Sequence, residues 1–120
     1  MTQDKALYAW FNNFMTAYVN TAVPETVDFP FMTYEYVSGG WGDENVAIAV
    51  NMWFNTDSEA VPNTKAADLR KYIETNDMIE CDEGYIWVMT GEPWCQSLQD
   101  EEQPSIKRRY INITLNYITR

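Results

Sequence analysis

The sequence predicts an α+β fold: a single, mostly antiparallel sheet covered by two helices, in the order α-β-β-α-β-β-β, with all 120 residues in one domain. Three observations carry this expectation. Large apolar residues recur at helical spacing near the start, strict two-residue alternation marks the middle and the end, and Gly- or Pro-bearing breaks separate the segments. The length suits one hydrophobic core and is too short for two independent ones. Hydrophobic residues make up 46 % and charged residues 22 %, the balance of a folding chain and not of a disordered one.

From Gln3 to about Asn20, the residues Leu7, Trp10, Phe11, Phe14 and Tyr18 fall on one helical stripe. Thr2 is placed to cap this helix, and Asp4 to complement the positive end of its dipole. Pro24 and Pro30 end helical structure, so residues 21–30 read as a crossing loop into a strand from Phe31 to Val37. Ser38, Gly39, Gly40, Trp41 and Gly42 read as a hairpin turn, because ordering so many glycines in a strand is entropically costly. In the next strand Val46, Ile48, Val50, Met52 and Phe54 alternate with Ala47, Ala49, Asn51 and Trp53. One face is built for the core, and the small residues of the other leave room for something to pack there.

Asn63 is placed to cap a second helix from about Thr64 to Thr75, with Ala66, Leu69 and Ile73 facing inward. Ile79 to Cys81 and Tyr85 to Thr90 are short strands joined by the turn Asp82, Glu83, Gly84. Lys107 to Thr119 alternates Arg109, Ile111, Ile113, Leu115 and Tyr117 with polar neighbours, which predicts a long final strand. Between Thr90 and Ser105 no period is sustained, so this stretch reads as a long loop of the kind that often carries function.

The chemistry on offer is narrow. There is no His, and 18 acidic against 8 basic residues give a net charge of −10. Such a surface is poorly suited to neutralising phosphates, so sequence-specific nucleic-acid binding is not expected. No apolar run approaches the roughly 20 residues of a membrane helix, and Met1 to Lys5 lacks a signal-peptide pattern; a soluble chain made in the cytoplasm, with no membrane partner, is the expectation. Cys81 and Cys95 have neither redox nor zinc-knuckle spacing and read as reduced structural thiols. Glu80, Asp82 and Glu83 gather at one hairpin, but adjacent strand residues point to opposite faces and the spacing lacks the alternation of a calcium loop, so they read as a solvated turn. No catalytic, metal-binding or cofactor-binding residue is expected, and no enzyme.

Five Trp, eight Tyr and five Phe turn attention to contact surfaces. Trp10 belongs to the helical stripe, whereas Trp41 in the turn and Trp94 in the long loop sit where burial within the chain is hard to arrange; each anchors either its own loop or a partner. Asp100, Glu101 and Glu102 lie a few residues before Lys107, Arg108 and Arg109. These charges either form weak surface pairs within the chain or join the acidic loop of one subunit to the basic strand of the next, a head-to-tail contact that closes a ring. The candidate interface is therefore Trp41, Trp94, Leu98, Asp100, Glu101, Glu102, Lys107, Arg108 and Arg109.

The segment order and the style of the second half, with Ile79-Glu80-Cys81-Asp82-Glu83-Gly84-Tyr85-Ile86-Trp87 leading to a loop and then Ile106-Lys107-Arg108-Arg109-Tyr110-Ile111-Asn112-Ile113, resemble the tail terminator and neck (tail-completion) proteins of long-tailed bacteriophages and prophages. The resemblance spans residues 1–120. It implies a hexameric ring that caps the tail tube, with the major tail tube protein and a head-completion protein as partners, found in the host cytoplasm during assembly and then in the virion tail or neck. It also implies that the long loop and hairpin tips touch neighbours, without assigning individual residues. Six such chains would carry roughly −60, and an acidic lumen would repel passing DNA. The alternative expectation is a small-ligand-binding α+β domain with an aromatic pocket between the first helix and the sheet.

Overall fold

The computed structural model describes residues 1–37 and 45–119, so the expected turn at 38–42, including Trp41, lies outside the described residues. The elements run α1 (Gln3–Phe14), β1 (Ala17–Val19), β2 (Phe31–Val37), β3 (Asn45–Asn55), α2 (Ala60–Thr75), β4 (Met78–Cys81), β5 (Gly84–Gln99) and β6 (Ile106–Thr119). The strands form one sheet in the order β1-β2-β3-β6-β5-β4. Every neighbouring pair is antiparallel except β1 with β2, which is parallel, so the α+β class holds and the sheet is mixed.

The observed order contains one strand more than the expected α-β-β-α-β-β-β. Thr2 caps α1 by accepting from Lys5 N–H, as expected, but the helix stops at Phe14 instead of running to Asn20. Asn12 explains the stop. Its side chain accepts from Ala17 N–H at 3.0 Å and donates to the carbonyls of Ala17 and Tyr8, turning the chain so that Ala17–Val19 joins the sheet edge beside β2. Tyr18 thereby leaves the helical stripe and faces Phe31.

Helix α2 begins at Ala60 and not at Thr64, and its N-cap position is Glu59 and not Asn63. Pro62 is tolerated in the first turn because its missing N–H has no helical partner there. The Asn63 side chain is engaged elsewhere, as an acceptor for Arg109.

The largest departure is the expected loop from Thr90 to Ser105. Strand β5 continues to Gln99, and only Asp100 to Ser105 connect it to β6. Thr90 pairs with Ile113 and Cys95 with Ile111, so Gly91 to Trp94 bulge opposite the single residue Asn112. The bulge spans an odd number of steps, which moves the inward-facing residues from even positions (Ile86, Val88) to an odd one, Cys95. A strand whose alternation changes phase halfway has no sustained period to read.

Both helices lie on the same face. Ile48, Val50, Met52 and Phe54 of β3, Ile111, Ile113 and Leu115 of β6, and Ile86 and Val88 of β5 are buried beneath Leu7, Trp10 and Phe11 of α1 and Ala66, Leu69 and Ile73 of α2. Among the described residues no helix is long and apolar enough to cross a membrane.

Gly91 is the tight point of the bulge: a Cβ there would sit 2.8 Å from the Asn112 backbone carbonyl. Gly91→Ala must push two strands apart, and is expected to destabilise the fold by about 1 to 3 kcal/mol. A lower urea midpoint at an unchanged slope checks this.

Candidate functional site

Period-two alternation in β2, β3, β5 and β6 sends every second side chain to the face that neither helix covers. Register places Phe31 beside Trp53, Thr33 beside Asn51, Trp53 beside Arg108, and Arg108 beside Leu98 on that face. Trp53 is its centre. Its indole donates Nε1–H to Thr33 Oγ1 at 3.3 Å, and its ring lies at 11° to that of Phe31 with centroids 6.2 Å apart. The Arg108 guanidinium carbon stands 5.2 Å from the Trp53 ring centroid, within cation–π range. Phe29 meets Phe31 edge-on at 5.3 Å.

Two concavities flank Trp53. One, of about 670 Å³, runs between the 20–30 loop and the β5–β6 turn, with Phe29, Phe31, Trp53 and Ile106 against the amides of Asn20, Asn55 and Gln103. The other, of about 210 Å³, is bordered by Trp53, Leu98, Asp100, Ile106 and Arg108. Further along the same face Met78, Tyr85, Trp87 and Ile118 are each roughly 40 to 50 % exposed and adjoin through the strand register. Between these two apolar regions, Asn51 Oδ1 is buried with no hydrogen-bond partner among the described residues. A buried acceptor without a donor costs about 1 to 3 kcal/mol, so a donor brought by a bound molecule would be favourable there.

Of the residues expected at an interface, Leu98, Asp100 and Arg108 do come together on this face. Glu101 and Glu102 are exposed at the β5–β6 tip, where Asp100 Oδ1 accepts from Glu102 N–H at 2.8 Å and Gln103 N–H at 3.1 Å and so shapes the turn. Lys107 and Arg109 are a correction. Both point to the helix-bearing face and are buried, Arg109 to 1 % exposure, so neither is free to meet a neighbour's acidic loop. Arg109 Nη2 binds Glu59 Oε2 at 2.6 Å and Asn63 Oδ1 at 3.0 Å, while Lys107 Nζ donates to the Pro104 carbonyl at 2.7 Å and stands 3.7 Å from Glu59 Oε1. Trp94 also lies on the helix side, half-buried against the core with Arg70 of α2 over its ring at 5.9 Å. It anchors its own bulge. Trp53, Phe29, Phe31 and Asn51 were not among the expected site residues, although the alternation of β3 already places Trp53 with Ala47, Ala49 and Asn51 on the non-core face.

Among the described residues no three His, Cys, Asp or Glu side chains converge as a metal site would require. The chain matches no protein-family model and no curated protein.

Glu59, at the start of α2 on the helix-bearing side, holds the two inward cations of β6. Hydrogen bonding from Arg109 keeps its carboxyl below the ordinary value of 4.5, helped by the charges of Arg109 and Lys107 and opposed by desolvation. A group with a depressed folded-state pKa stabilises the fold above its unfolded value and loses that contribution as pH falls through the folded one. Glu59→Gln is therefore expected to lower the neutral-pH denaturation midpoint and to flatten the loss of stability below about pH 4.5. Urea titrations across the acid range measure both.

Proposed function

We propose that this chain is a structural assembly protein of the tail terminator kind, which associates into a ring, caps a phage tail tube and joins it to the head. The observation that carries the reading is the uncovered sheet face: two apolar regions, one around Trp53 and one around Trp87, stand on one side of a sheet whose helices both lie on the other. A surface of this composition suits contact with protein, where aromatic anchors contribute most of the binding energy. The resemblance of the Ile79–Trp87 and Ile106–Ile113 segments to tail terminators supplies the identity of the partners: further copies of the chain, the major tail tube protein and a head-completion protein.

In this reading the head-to-tail contact uses Arg108, the one cation of the basic triplet that points to the open face, against the acidic tip Asp100 to Glu102 of the next copy. Lys107 and Arg109 serve the interior. Assembly then takes place in the host cytoplasm, and the protein ends in the virion neck.

A second reading, a ligand-binding domain with its pocket between the first helix and the sheet, has one observation in its favour. Most of that seam is closed by Leu7 and Phe11, both fully buried, but a cleft of about 300 Å³ opens where the start of α1 meets β1 and β2.

The ring is tested by light scattering after gel filtration over a wide concentration range. A species with the mass of six chains is expected at high concentration. Arg108→Glu, at a partly exposed position, should abolish it while changing folding stability by less than about 1 kcal/mol, and Trp87→Glu should abolish it while keeping a folded spectrum. A monomer at every concentration overturns the ring.

A further inference from the structure

The cleft at the start of α1 has a chemistry distinct from that of the open face. It is lined by Asp4, Lys5, Tyr8, Val19, Tyr34 and Tyr36. Two periodicities build it: Asp4 and Tyr8 stand one helical turn apart on α1, and Tyr34 and Tyr36 are alternate residues on the helix-bearing face of β2. Tyr36 Oη donates to Asp4 Oδ1 at 3.2 Å. Tyr34, stacked on Phe11 at 4.6 Å, closes the floor, while Tyr8 and Tyr36 stay 45 % and 41 % exposed.

Asp4 acts on the hydroxyls around it. Burial pushes the Tyr34 hydroxyl up to about 12, with further upward contributions from Tyr8 and Asp4. Tyr36 is raised by burial, then by Tyr117 and Asp4, and Tyr117 by burial and then Asp4. The Asp4 carboxylate is thus felt at all three hydroxyls, and the Lys5 ammonium stands at the rim of the same cleft. The cleft presents the Asp4 carboxylate among the electron-rich ring faces of Tyr8, Tyr34 and Tyr36, with Lys5 at its rim.

That arrangement complements an organic cation. A guanidinium suits it better than an ammonium, because its plane can lie on a tyrosine ring while its edge forks to the carboxylate. A chain of net charge −10 also favours encounter with a basic surface. We propose that the cleft between Asp4, Tyr8 and Tyr36 receives a guanidinium group, borne by an exposed arginine side chain of a partner protein. The inference rests on the ligand-cleft reading and is independent of ring assembly, which uses the other face of the sheet.

The experiment is an amide chemical-shift titration of the full chain with N-acetyl-arginine amide and, separately, with the uncharged N-acetyl-citrulline amide of nearly the same shape. Saturable shifts confined to residues 4–8, 19 and 34–36 are expected with the arginine probe, and binding at least about tenfold weaker with the citrulline probe. Asp4→Asn, an exposed change that leaves the Thr2 cap in place, should lose the arginine response while keeping a folded spectrum. Lys5→Gln, which removes a competing charge at the rim, should strengthen it. Equal binding of both probes at these residues would leave a ligand cleft but overturn its preference for a cation. No saturable shift with either probe, or an arginine response unchanged in Asp4→Asn, would overturn the site itself.

Discussion

The architecture depends on how α1 and α2 are tied to each other. Tyr72 of α2 donates its hydroxyl to the Trp10 carbonyl at 2.7 Å, and Trp10 of α1 returns its indole N–H to the Asn76 carbonyl, just past the end of α2, at 2.8 Å. The rings of Trp10 and Phe14 pack against Tyr72, so the same residues that satisfy the polar groups also exclude water from them. With each helix fixed to the other, both sit on one side of the sheet. Neither can cover its opposite face, and the exposed aromatic surface follows from that joint.

The start of α2 is held by a second device, in which Lys107 and Arg109 reach from β6 to Glu59 and Asn63. Burying two cations is costly unless their hydrogen bonds are made, and here the carboxylate, an amide and two carbonyls provide them. The inner face of β6 is thus apolar from Ile111 to Leu115 and ionic at the end where α2 begins. Arg108, between the two, points the other way, onto Trp53. Three consecutive basic residues therefore divide between an internal fastening and an external surface.

That division was legible in the sequence, since Arg109 alternates in phase with Ile111, Ile113 and Leu115, whereas reading Lys107, Arg108 and Arg109 as one cluster obscured it. The core stripe of α1, the two-faced pattern of β3 and the Gly84 turn, whose φ of 147° requires a glycine, follow directly from local periodicity and backbone sterics. Two features lay beyond such reasoning. The end of α1 depends on an Asn12 side chain that bonds across to Ala17, and the second half of β5 depends on pairing with β6 across a bulge that shifts its phase. Both are tertiary decisions that no local window contains. The open face itself needed the helix placement, because a face of Ala47, Ala49 and Asn51 is equally compatible with a third layer.

The sheet's margins carry a consequence of their own. Its two outermost strands, β1 with three residues and β4 with four, are much shorter than the central β6 with fourteen. These two strands themselves offer few free backbone groups to another chain, while among the described residues β5 beyond Trp87 has no paired strand on its β4 side. Association that avoids the backbone is governed by side chains, and side chains can be changed one at a time. A protein built this way can have its choice of partner altered by evolution through single substitutions on one surface, with the hydrogen-bonded scaffold beneath left intact.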